Sequence, residues 1–451
     1  MIILILLIAI ALGLFYFILQ LDISGLIKFI LVVGEMIIVS QILIKKYKLP
    51  SEMGLVLLKS KKGIEIIDKL AQHEKIFNYL ADVGCSISYG LLSLVLMKKT
   101  ITWKTLIPGL VILLVLSIFV APVALSFILS VVKVGATEKT VTGITDDPSL
   151  GMLIVGGILL LGGMFLFILF GLVFYGIVVF KAIVTTIFFG TDALATTAAG
   201  GTLLLPGINL PFFEGIMALA IVMVVHEVAH AVLARIAKVP ILSSGIVLFG
   251  IVPIGAFVEP DEKKLAKVES KKQTRVLVAG PTANLLTSVV MFVLFLGFFY
   301  GTVSFREEGL MVVAGMEPGT VIYQVNDQII DVYNYTSMNL TADSEITFIT
   351  NKGTITKITN STGQVGIMYY PISKNSIAAV YNNWVMGFIY VVLGLSLALN
   401  FVVGTVNILP VPLFDGFRII DINVKNKTIV KILSYGALLF FALNFLPLLF
   451  H

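Results

Sequence analysis

Apolar positions in this chain gather into unbroken blocks, near 2 to 20, 25 to 44, 105 to 134, 150 to 189, 212 to 234, 276 to 300, 383 to 409 and 430 to 450, with a weaker block at 83 to 97. A bilayer's hydrocarbon core takes roughly 20 apolar residues of helix to cross, so the pattern predicts an all-α polytopic membrane protein. Basic residues sit between the blocks: Lys45, Lys46 and Lys48, then Arg235 and Lys238, then Lys263 to Arg275, and last Arg418 to Lys431. Such clusters favour the cytoplasmic side. The helix ending at Arg235 therefore runs inward, the next runs outward from Val276, and the 383 to 409 block returns inward, leaving 301 to 375 outside. Trp103 and Trp384 open two of the blocks, at the headgroup level that suits an amphipathic ring. The front half stays open, since 150 to 189 fits one long span or two short ones and 83 to 97 either crosses or does not.

Ile241 to Phe257 is apolar and uncharged, yet it lies between two basic clusters that belong on the same side. It cannot simply cross. Gly245, Gly250, Pro253 and Gly255 break it, and its Ile and Val content favours extended chain. The segment is expected to be a re-entrant hairpin, with a flat interfacial segment as the alternative. Irregular backbone at membrane depth is tolerated only against protein or a wet cavity, so a hairpin here would border a site. Residues 301–375 change character: alternating Val321 to Val325, turns at Asn326-Asp327 and Asn351-Lys352-Gly353, and threonine-rich stretches predict a small external β-rich insert. Triplets at Asn334, Asn339 and Asn360 fit an outer location and carry little weight. The chain thus divides into an N-terminal membrane region at 1–200, a first core part at 201–300, the insert at 301–375 and a second core part at 376–451.

Composition narrows the classes. With 58% apolar and 13% charged residues, against about a quarter charged in soluble domains, and a mean hydropathy of +1.05, the solvent for this fold is lipid. The formal net charge of +5 comes from the inter-block lysines, which suits anionic membrane lipids and not nucleic acid. One cysteine, Cys85, rules out an internal disulfide and a multi-cysteine metal site. Residues 1 to 20 lack a basic start and a small-residue cleavage site, and are expected to stay as a helix.

Candidate chemistry lies in Val225-His226-Glu227-Val228-Ala229-His230-Ala231. Spacing of four puts both imidazoles on one helix face within reach of one zinc ion, with Glu227 beside them to take a proton from water. Counted from Phe212, His226 lies roughly 21 Å along the helix, and roughly 13 Å remain to Arg235; the metal would sit inside the bilayer, nearer the cytoplasm. Hydrolysis there points to a membrane-embedded peptide bond. A hydrolytic zinc needs a third protein ligand and an open position. With His73 in a charged stretch and His451 at the chain end, a carboxylate is expected, and Asp415 is the best candidate. Pro410 and Pro412 open the backbone before it; a helix-end turn with a solvated aspartate is the competing reading. Glu35, mid-block in the second apolar run, is either functional or a protonated structural group.

The motifs resemble those of the site-2 protease family of intramembrane zinc metalloproteases. The likeness is carried by His226-Glu227-Val-Ala-His230, by Ala279-Gly280-Pro281-Thr-Ala-Asn284 and by Asn407 through Asp415-Gly416, in that order, across about 200 to 420. Pro206-Gly207-Ile-Asn209-Leu-Pro211 and Gly255-Ala-Phe-Val-Glu259 are similar to the branch containing the animal enzyme. The resemblance implies one Zn²⁺ per chain on His226, His230 and Asp415, Glu227 as catalytic base, and Asn284 and Asn407 near substrate or the oxyanion. It implies a PDZ-like insert and single-span membrane proteins as substrates. The absence of organelle signals leans toward a multi-pass protein of a prokaryotic cell membrane, and the basic clusters put its site toward the cytoplasm. A metal transporter, and a binding-only relative without activity, are the alternatives.

Overall fold

The computed structural model describes residues 2–21, 25–52, 54–97, 100–131, 148–202, 204, 206–207, 209–317, 320–326, 328–332, 341–377 and 379–450. Asn334 and Asn339 lie outside them. Leaving one-turn helices unlabelled, the chain runs α1 (Ile2–Gln20), α2 (Gly25–Tyr47), β1 (Ser51–Glu52), β2 (Leu55–Lys59), α3 (Lys61–Ala71), α4 (Glu74–Tyr89) and α5 (Trp103–Val131). Next come α6 (Pro148–Phe189), α7 (Phe212–Ile236), β3 (Ile241–Phe249), β4 (Val252–Pro260) and α8 (Ser270–Gly301). Then come β5 (Gly309–Ala314), β6 (Val321–Val325), β7 (Gln328–Ile329), β8 (Glu345–Thr350), β9 (Gly353–Ile358) and β10 (Met368–Ile372), and the chain closes with α9 (Trp384–Val406), α10 (Asp415–Asn423) and α11 (Lys427–Phe445). Seven helices among the described residues are long and apolar enough to cross a membrane.

Two ambiguous stretches resolve. The 150 to 189 block is two helices meeting at a kink at Gly163, whose φ of 60° suits glycine. Gly90, also at positive φ, is so close to it that a Cβ would strike the backbone at Leu160 and Gly163. The 83 to 97 block doubles back: Tyr79 donates to the Lys104 carbonyl (3.1 Å) and Gly109 packs on Ser86 and Val83, so α4 and α5 run parallel and residues 90–102 return to the level where α4 began. Within α5 a π turn at Leu116–Val120 precedes Pro122, which has no N–H to complete the α pattern.

The fold is not all helix. The hairpin expected at 241 to 257 forms as β3 and β4, but it belongs to a four-stranded antiparallel sheet ordered β1-β2-β3-β4. Val56 on β2 is buried with Ala11, Val39 and Leu43 of the α1–α2 pair, and Ser40 Oγ accepts the Gly250 N–H at the hairpin tip (2.7 Å). Glu35 is buried on α2, and neither carboxylate oxygen has a partner among the described residues. Amphipathic α3 packs against α7, where Asp68 accepts both Nε and Nη2 of Arg235 (2.5 and 3.0 Å). The insert is a second, wholly antiparallel sheet, ordered β10-β5-β6-β8-β9 with β7 on β6, over its own small core of Leu310, Ile322, Ile346 and Phe348.

Helices α4, α5, α7, α8 and α9 share the main core. α7 and α9 both lie antiparallel to α8: His226 and His230 face Gly280, while Gly404 abuts Pro281 and Leu285. Trp103 and Trp384 are exposed at their helix starts.

Candidate metal centre

Three elements meet at the site. α7 presents His226 and His230 one turn apart, as their spacing requires. α8 comes close enough to touch them because position 280 is glycine; a Cβ there would run into His230 Nε2 and stand 2.7 Å from His226 Nε2. The third element is the segment after α9. The helix stops at Val406, the chain turns through Pro410 and Pro412, and α10 begins at Asp415. Gly416 locks this turn: its N–H donates to the Asn407 carbonyl (2.8 Å), and any Cβ would collide with the Ile408 carbonyl.

The result is a triangle of ligand atoms. His226 Nε2 lies 3.0 Å from His230 Nε2 and 3.3 Å from Asp415 Oδ2, and His230 Nε2 lies 3.2 Å from the same oxygen. Bonds of about 2.0–2.1 Å around a tetrahedral zinc ion set neighbouring ligand atoms about 3.3 Å apart, so the triangle has the size of one tetrahedral face. The donor chemistry agrees. His230 Nδ1 sits 2.7 Å from the Val276 carbonyl, which only accepts, so the proton is on Nδ1 and Nε2 offers a lone pair. The three residues form the one such ligand cluster found among the described residues, and they fit a divalent metal with nitrogen and oxygen ligands.

Glu227 does not join the triangle. It lines the same cavity of about 350 Å³, which opens between α7, β4, α8 and the α9–α10 turn. Val258 and Pro260 of β4 form one wall, Met223 and Leu413 are apolar contacts, and Asn407 reaches the lining while its own amide donates to the Val403 carbonyl (3.1 Å). Arg418 and Glu262 also line the cavity and form a bidentate ion pair (2.6 and 3.3 Å); both are largely exposed, so the pair adds little stability. Asn284, expected near substrate or the oxyanion, lies directly behind His226. It is fully buried and off the cavity, with its amide nitrogen 3.1 Å from His226 Nδ1.

Sequence reasoning did not single out Gly280, the Val276 carbonyl, Glu262 or Arg418. Gly280 was visible only as part of a motif; that its missing side chain makes room for two imidazoles depends on how α8 approaches α7.

The family model for peptidase family M50 matches residues 214–447, more than half of the chain. The chain belongs to this family. M50 is the site-2 protease family that the motifs resemble, and the match takes in both histidines, Glu227, Asn284, Asn407 and Asp415. An uncharacterized protein of Methanocaldococcus jannaschii is 30% identical over 247 residues, which is 51% of this chain and 62% of that relative. Together the M50 match and the seven apolar helices mark a multi-pass membrane protein of a peptidase family.

Proposed function

We propose that this M50 chain is a zinc-dependent intramembrane endopeptidase of the site-2 type, which cleaves peptide bonds within the membrane-spanning helices of single-span proteins. The carrying observation is the convergence of His226 Nε2, His230 Nε2 and Asp415 Oδ2 within 3.0–3.3 Å, beside Glu227, on a helix of spanning length. One Zn²⁺ per chain would be held by those three residues, and when bound it supplies the Lewis acidity that polarises a carbonyl and makes water easier to deprotonate. Glu227, in the cavity wall one residue from His226, takes the proton from water and later delivers it to the leaving amine. Asn407 also lines the wall, and in this reading it holds substrate backbone or oxyanion.

A helical substrate hides its carbonyls and must unwind before attack. β4 supports a way to receive it, since among the described residues it pairs with β3 on one side only, and its residues Val258 and Pro260 border the cavity; an added strand would gain main-chain hydrogen bonds there. In this reading the β3–β4 hairpin is re-entrant and the site opens toward the cytoplasm of a prokaryotic cell membrane. The orientation rests on Arg235, Lys238 and Lys263 to Arg275, and the archaeal relative supports the setting. The external sheet is read as PDZ-like. A metal transporter would need ligands along a path, whereas the cluster described here sits at one depth; the carboxylate of Glu227 speaks against a binding-only relative.

The test is cleavage of a panel of single-span substrates by the purified protein, with Glu227→Gln and a chelator as controls. The expected result is cleavage inside the apolar segment that both controls abolish. Cleavage undiminished in Glu227→Gln would remove the base, and metal-dependent uptake without proteolysis would favour transport.

A further inference from the structure

Asn284 is a fully buried amide on α8 with one end used and the other idle. Its nitrogen lies 3.1 Å from His226 Nδ1, while Oδ1 has no hydrogen-bond partner among the described residues. An amide nitrogen facing Nδ1 donates to it, which forces the imidazole proton onto Nε2. Nε2 is the atom that faces His230 and Asp415 at 3.0 and 3.3 Å, and a protonated Nε2 has no lone pair for a metal. A half-turn of the amide exchanges its two nearly isosteric ends. The oxygen then accepts the Nδ1 proton and gains the donor it lacked, and Nε2 becomes a ligand.

We infer that Asn284 is the positioning residue that sets the tautomer of His226, accepting the Nδ1 proton through its side-chain oxygen and so holding Nε2 ready for zinc. This matches what the Val276 carbonyl does for His230 (2.7 Å), so each imidazole is oriented from behind by an acceptor on α8. The role differs from substrate binding, because Asn284 is outside the cavity lining. The inference rests on the zinc reading proposed above.

The experiment measures zinc affinity by chelator competition on the purified full chain, comparing wild type with Asn284→Asp and Asn284→Leu. Aspartate can only accept from Nδ1–H, and leucine can do neither. The expected result is zinc binding weakened about 10–100-fold in Asn284→Leu and held within about threefold in Asn284→Asp, as for other partners behind a metal-bound histidine. A residue needed only to fill space would not separate the two variants in this order. Loss of zinc in Asn284→Asp, or an unchanged affinity in Asn284→Leu, would overturn the inference while leaving the metal site standing. Should Asn284→Leu fail to fold, Asn284→Val, which likewise can neither accept nor donate, takes its place in the comparison. A wild-type chain that binds no zinc would instead overturn the reading of the site itself.

Discussion

His226, Glu227 and His230 do separate jobs although they share one helical turn, and substitutions should separate them. Glu227 lies outside the ligand triangle, so Glu227→Gln is expected to keep its zinc while losing about 10²–10⁴-fold in cleavage rate, read by elemental analysis beside a cleavage assay. Gly280→Ala should act on the metal instead. The methyl group would enter the space of His230 Nε2 and His226 Nε2, and zinc affinity is expected to drop by about tenfold or more although no ligand has changed. The four-residue spacing of the histidines was legible from the sequence because both lie on one helix. Asp415 was legible as a candidate because the prolines before it open the backbone and histidines were too scarce to supply a third ligand. The orienting contacts of Val276 and Asn284 were not legible, since they depend on where α8 crosses α7, which no local pattern encodes.

Among the elements, the hairpin shows how far a pattern reaches. Its glycines, proline and β-branched residues pointed to extended chain, and β3 and β4 formed. That β1 and β2, almost two hundred residues earlier, complete the same sheet was not visible, because strands of two and five residues are too short to carry the mark of a distant partner. The doubling back of α4 was hidden similarly: length and hydropathy describe a block without saying which neighbour it lies beside. α3 offers a pH test. The Arg235 guanidinium holds the Asp68 carboxyl below its ordinary range, chiefly through their hydrogen bonds. A depressed folded-state value means that the ion pair's stabilisation is complete above the unfolded aspartate value of about 3.9 and is lost as pH falls through the lower folded one. Both side chains are partly exposed, so Asp68→Asn should cost only about 0.2–1 kcal/mol. Hydrogen-exchange protection in α3, corrected for the intrinsic rate at each pH, should fall in wild type below about pH 4, whereas the Asn variant should show lowered protection already at neutral pH and little of that acid step.

At the scale of the whole molecule, the apolar blocks foretold the helices and the polar stretch foretold a β insert, because lipid imposes a coarse rule that sequence must obey. The arrangement predicts opposite faces for the segment before α8 and the insert. With Cys85, which is buried, replaced by serine, single cysteines at Lys267 and Thr354, both exposed, should react with a membrane-impermeant maleimide from opposite sides of sealed vesicles; labelling of both from one side would contradict the orientation. The central claim is that two imidazoles and a distant aspartate share one zinc ion within the membrane. Zinc-edge X-ray absorption of the purified chain tests it most directly, comparing wild type with Asp415→Ala. The account predicts one zinc per chain in an all-nitrogen and oxygen shell at about 2.0–2.1 Å, with two imidazole signatures, and its loss or rearrangement in the variant. A wild-type protein without zinc, or a spectrum that Asp415→Ala leaves unchanged, would contradict it.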